Sequence, residues 1–104
     1  MSLMSVQLKA EGYVDEFIEA VPVVTNPGWL FVYWPKNLTG RLSKELVKRL
    51  KMLERQMPGA GFKGWLCNSE EDHEEMHRLI EKFGAKPYAV EHGLIWFNKE
   101  IAHV

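Results

Sequence analysis

The sequence predicts one domain of the α/β (α+β) class: a mixed sheet with two main helices. Three observations carry that prediction. Short apolar runs at strand length alternate with two longer stretches whose apolar residues recur every three to four positions. The stretch between the first two runs is too long for a hairpin, which favours a parallel pair joined by a right-handed helical crossover. The chain has 104 residues, 46% of them hydrophobic and 12% aromatic, enough for one core and too apolar for a disordered segment.

Charge and cysteine content narrow the function classes. Thirteen basic and 14 acidic residues leave a net charge of −1, which gives no footing for nucleic acid, whose binding needs a concentrated basic surface. No apolar run reaches membrane-spanning length, and no signal or transit peptide is visible at the start, so no membrane partner is expected. The single cysteine, Cys67, precludes an internal disulfide and fits a reducing, cytoplasmic setting.

The elements read as follows. Val6, Leu8 and Ala10 alternate with polar residues and predict a short strand. Tyr13, Val14, Phe17, Ile18 and Val21 fall at helical spacing and predict a short helix near residues 12–20, ended by Pro22, with an extended reading of Phe-Ile-Glu-Ala-Val-Pro-Val-Val at 17–24 as the alternative. Thr25-Asn26-Pro27-Gly28 is turn chemistry. Trp-Leu-Phe-Val-Tyr-Trp at 29–34, bounded by Gly28 and Pro35, predicts a strand covered on both faces. After a loop at 35–40, Thr39 is a fitting N-cap. Leu42, Leu46, Val47, Leu50, Leu53 and Met57 form one stripe of a helix over residues 40–57, stopped by Pro58-Gly59. Its other face carries Arg41, Lys44, Lys48, Arg49, Lys51 and Arg55, the usual dress of a solvated helix face.

Residues 63–67 predict a second strand. Asn68 or Ser69 is then expected to cap a helix, with Glu71 and Asp72 completing a capping box. Met76, Leu79, Ile80 and Phe83 form its buried stripe, and Gly84 is the expected left-handed stop. Residues 88–90, the turn Glu91-His92-Gly93, and residues 94–99 predict a closing hairpin.

One motif in this region has its own chemistry. His-Glu-Glu-Met-His at 73–77 sets two imidazoles one helical turn apart, the spacing that lets His73 and His77 share a zinc with Glu74 as general base. A zinc hydrolase would need a further protein ligand. Cys67, Glu91, His92 and His103 are the candidates, none at a diagnostic spacing, and Ile80 stands where the extended motif has glycine. Met76, Leu79, Ile80 and Phe83 also centre the apolar face, which leaves both histidines at its boundary. No metal is therefore expected.

Residues 29–99 together resemble the C-terminal two-thirds of the GCN5-related N-acetyltransferase (GNAT) superfamily. The resemblance rests on element order and on Asn68 followed by Met-His-Arg-Leu-Ile-Glu-Lys-Phe-Gly-Ala at 76–85, similar to the family's Asn, helix, then Tyr-Glu-Lys-Leu-Gly-Phe. It implies a GNAT-like sheet, shortened at its N-terminus, in which acetyl-CoA lies where two parallel strands part. Its pyrophosphate would meet the amides opening the long helix, at Asn37, Thr39, Gly40, Arg41 and Leu42, with Asn68 on the cofactor side. The reaction implied is direct acetyl transfer to an amine.

Departures from the family pattern are visible. Asn37 and Leu42 occupy loop positions where the family has Gln or Arg and Gly or Ala, and Ile80 replaces a frequent tyrosine acid. Twenty-eight residues precede Trp29, where the family has two or three strands and one or two helices. The expectation is a GNAT-like domain with degenerate or lost transfer activity. The alternative is a homodimeric binding module whose open sheet edge a second copy covers. His92 is the candidate base, and Cys67 is expected to be a buried small apolar residue.

Overall fold

The computed structural model describes residues 6–35 and 40–101, with the side chains of residues 40–42 left aside. Among these residues lie six strands and two helices: β1 (Tyr13–Val14), β2 (Glu19–Pro22), β3 (Trp29–Tyr33), α1 (Gly40–Gln56), β4 (Gly64–Glu70), α2 (Glu74–Lys82), β5 (Lys86–Glu91) and β6 (Leu94–Glu100). The strands form one mixed sheet in the order β1-β2-β3-β4-β6-β5. Only β3 and β4 run parallel, linked through α1; the other neighbours are antiparallel.

Register shows which side chains share a face, because directly paired residues point the same way and neighbours along a strand alternate. Ala20, Val32 and Leu30 lie on one face with Trp65, Cys67 and Phe97. These residues form one core with Leu46, Leu50, Leu53 and Met57 of the α1 segment and Met76 and Ile80 of α2. Both helices therefore cover the same face. The opposite face carries Val21, Trp29, Phe31 and Tyr33, then Leu66 and Asn68, then Trp96 and Asn98.

Polar pins fix α1 to the sheet, and Arg49, expected on its solvated face, is instead buried against Asp15 and Phe17 of the N-terminal segment. Glu54, partly buried beneath it, accepts the Trp65 indole N–H at 2.7 Å and pairs with Lys99 of β6 at 3.0 Å. Gln56 accepts the Leu8 amide at 2.7 Å and donates to the Val6 carbonyl at 2.6 Å. Val6 and Leu8 are buried as their alternation implied. They belong to no ladder, however: Gln56 satisfies backbone groups that a neighbouring strand would otherwise take.

The helix expected near residues 12–20 is instead a hairpin, β1 pairing with β2 through Tyr13–Ala20 and Val14–Glu19. Two local features override the helical spacing. Gly12 has φ +104°, and a side chain there would strike the Ala20 carbonyl oxygen. Asp15 accepts the Phe17 and Ile18 amides at 2.7 and 2.9 Å, an Asx-type turn that competes with helix. Pro22 ends β2 rather than a helix.

The second helix also starts later than expected. Asn68 and Ser69 are strand residues, paired with Trp96 and Ile95. The helix opens at Glu74 with His73 as N-cap, and no side chain caps it. Seven successive pairs between β4 and β6 carry the strand past the capping residues. The C-terminus is as predicted, with Gly84 at φ +96°. The β5–β6 turn holds His92 at φ 53° and Gly93 at φ 76°, the left-handed pair of a tight hairpin.

Candidate functional site in the notch between β3 and β4

The site is defined by where pairing stops. The β3–β4 ladder consists of Trp29–Gly64, Leu30–Trp65 and Phe31–Leu66, and ends there. Beyond it, β3 stays paired to β2 as far as Tyr33, and β4 stays paired to β6 as far as Glu70. The two central strands thus part between residues 32–34 on one side and 67–70 on the other.

A cavity of about 340 Å³ fills the gap, lined by residues 31–35, residues 68–70, His73, Met76 and Leu94. The walls combine aromatic and aliphatic surface with a few polar groups, the usual make-up of a small-molecule site. Ser69 is buried in the wall, while Glu70 and His73 are exposed at its edge. Trp34 floors one end: its ring stacks on Phe83 at 5.5 Å and meets Trp65 edge-on at 5.7 Å. The Trp34 indole N–H is buried and finds no hydrogen-bond acceptor among the described residues. Beneath it, burial pushes the Cys67 thiol up to about 12. Such a thiol stays protonated near neutrality and is a core residue, as its place in the sequence implied.

Of the residues singled out in the sequence, Asn68 lines the cavity. Asn37 and Thr39 lie outside the described residues. Gly40, Arg41 and Leu42 open α1, but their side chains are outside the description. Ile80, at the position of the family's tyrosine, is fully buried in the core. His92 sits exposed on the hairpin turn, next to Gly93, whose carbonyl accepts the Glu71 amide at 3.0 Å. His73 and Met76 line the notch, and sequence spacing marked neither for that role. Only the β4–β6 register, which delays the helix, brings His73 there.

The zinc arrangement is not formed. His73 is the N-cap, bordering the notch, whereas the His77 ring lies 5.7 Å from Phe97. His77 Nε2 is 2.7 Å from the Glu70 carbonyl oxygen, so that nitrogen must carry the proton and donate. Among the described residues no group of three His, Cys, Asp or Glu side chains is placed to hold a metal. Nor is any helix among them long and apolar enough to cross a membrane.

No protein-family model matches the sequence, and no curated protein matches it. Solved structures do. A protein classed as an acetyltransferase of the GNAT family from Desulfovibrio desulfuricans superposes with a TM-score of 0.69 at 17% identity, over 82% of this chain and 60% of that one. An aminoglycoside 6′-acetyltransferase type Ii gives 0.67 at 20% identity, over 88% and 67%. The Campylobacter jejuni N-acetyltransferase PseH in complex with acetyl coenzyme A gives 0.60 at 11%, over 82% and 58%. The chain therefore has the GNAT fold. It spans about three-fifths of the length of the first two structures matched.

Proposed function

We propose that this chain binds the acyl-carrying arm of a CoA thioester in the notch between β3 and β4 and passes the acyl group to an amine. The observation that carries the reading is the early end of the β3–β4 ladder after Phe31–Leu66, in a sheet of GNAT topology. Backbone groups of β3 beyond Phe31 lack β4 as a partner, and such groups seek one. An amide-bearing arm supplies it, and a cavity of about 340 Å³ gives room for its reactive end. The opening of α1, with Asn37, Thr39, Gly40, Arg41 and Leu42, would take the pyrophosphate as helix N-termini take anions, and Asn68 would border the arm.

When bound, acetyl-CoA supplies an acyl group activated as a thioester. His73 borders the cavity and would take the proton from the acceptor's ammonium group, so that the amine forms the new C–N bond as the thioester C–S bond breaks and the leaving thiolate gains a proton from solvent. His92, on the exposed turn, is the second candidate for that step. With Ile80 buried, the family's tyrosine acid has no counterpart at that position, and slow turnover follows from that. A cytoplasmic setting, where CoA thioesters are made, fits the reading.

Calorimetric titration with acetyl-CoA tests it. Saturable binding at micromolar to millimolar ligand is expected, retained in His73→Gln while acyl transfer to amines falls. Absence of heat at millimolar ligand overturns the proposal. A second reading, a homodimeric binding module, draws on the sheet face that neither α1 nor α2 covers, where Tyr33 is 52% exposed. Sedimentation showing monomer at all concentrations removes it. The edge strand β5 is a poor site for strand addition, because Lys86, Pro87 and the irregularity between Pro87 and Ala89 blunt it.

A further inference from the structure

The sheet face that neither α1 nor α2 covers holds a second concavity, of about 200 Å³, lined by Tyr88, Ala89, Glu91 and Trp96. We infer that it is a cation site: it takes an alkylammonium group between the Tyr88 and Trp96 rings, with the Glu91 carboxylate as counter-ion. The inference rests on the notch reading only for its use, in that the bound ammonium would be the acyl acceptor; binding itself requires no thioester.

Three observations converge. First, the β5–β6 register places the groups together. Ala89 pairs directly with Trp96, and Glu91 lies two residues on, hence on the same face about 7 Å along the strand. Tyr88 sits at the irregularity between Pro87 and Ala89. A bulge of that kind re-aims a side chain. Second, the chemistry suits a cation. Aromatic faces attract an ammonium group within about 6 Å of the ring centre, and an anionic partner adds a charge-assisted hydrogen bond. Small apolar Ala89 forms the wall between them. Third, the surrounding field has the right sign. Glu70 and Glu91 both pair with Leu94 and so lie in one row of this face, while its strand cation, Lys86, stands five residues from Glu91 along β5.

Position ties this concavity to the notch. The Trp96 ring meets Phe31 edge-on at 5.9 Å, and Phe31 lines the notch. Glu91 pairs with Leu94, which lines it too. One wall therefore separates the two cavities.

The test uses the full chain, isotope-labelled, with no CoA compound present. Butylammonium is titrated while the Trp96 indole N–H resonance is followed, beside n-butanol, a neutral molecule of the same shape. Butylammonium is expected to shift the Trp96 resonance saturably, and butanol is not. Glu91→Gln and Tyr88→Leu, both at exposed positions, are each expected to weaken binding about fivefold or more. A lysine-containing peptide run in parallel separates a free amine from a protein side chain as the source of the ammonium group. An equal response to butanol, or unchanged affinity in folded Glu91→Gln, overturns the inference. Amine binding without acetyl-CoA binding would leave the cation site standing and remove the transfer reading.

Discussion

Replacing Arg49 with Met removes a charge buried in the helix–sheet layer and keeps the aliphatic stem. Arg49 is 6% exposed. Its Nε is 3.0 Å from Asp15 Oδ2, an ion pair whose angle falls short of a hydrogen bond. Its Nη1 is 3.3 Å from Glu45, one helical turn away. Its guanidinium lies 4.0 Å from the centre of the Phe17 ring. Breaking a fully buried pair costs about 3–5 kcal/mol. Asp15 keeps three other donors after the change, the Tyr13 hydroxyl and the Phe17 and Ile18 amides, so about 2 kcal/mol is the reasonable share here. The more exposed Glu45 pair adds about 0.4 kcal/mol and the ring contact about 1 kcal/mol. The expected loss is about 3 kcal/mol, read as a urea midpoint lower by about 2 M for a domain of this size. Asp15→Asn and the double variant complete a cycle, and a coupling above about 1 kcal/mol is expected. A loss below about 1 kcal/mol, or additive effects in the cycle, would refute the view that this cluster fastens the N-terminal hairpin to α1.

Three further outcomes are expected. Burial and the bond to Asp15 raise the Tyr13 phenol from 10.0 to about 12. A raised folded value stabilises fully below pH 10 and is lost as pH climbs through 12, so Tyr13→Phe should flatten that part of the stability profile; an unchanged profile contradicts it. Cys67 should resist Ellman's reagent at pH 8 in the folded protein and react once urea unfolds it, since it is fully buried; rapid native labelling would be the contrary result. Gly64→Ala would drive a methyl into the Lys99 carbonyl oxygen and to 2.9 Å from the Trp29 ring. A destabilisation of about 1–3 kcal/mol by thermal melting is expected, and a neutral effect would show that β4 and β6 separate freely.

The long helix was legible because Leu46, Leu50, Leu53 and Met57 repeat at one period over about three turns, and the structure buries all four. The closing hairpin was legible from the turn residues His92 and Gly93. The N-terminal hairpin was not, because Phe17 and Ile18 sit at helical spacing while a single side chain, Asp15, takes their amides. The start of α2 misled for a related reason: Asn68 and Ser69 are good caps locally, but strand β6 outcompetes that role. The notch lay beyond reach because it is made by pairing that does not occur, and no residue type announces the end of a ladder. Asn68, which lines the notch, was marked through family resemblance, and His73 was seen only as a metal ligand.

The short β3–β4 ladder also has a mechanical meaning. The sheet is two half-sheets, β1-β2-β3 and β4-β6-β5, stitched at three residue pairs. Helix α1 bridges the seam, gripping the second half through Glu54, which holds Trp65 and Lys99, and the first through Arg49 and Asp15. Relative twist of the halves strains only those three ladder pairs, and the notch is its open end. A ligand seated there works as a wedge that fixes the angle between the halves. Occupancy should register at the far rims of the sheet, in β1 and β5, as slower amide exchange.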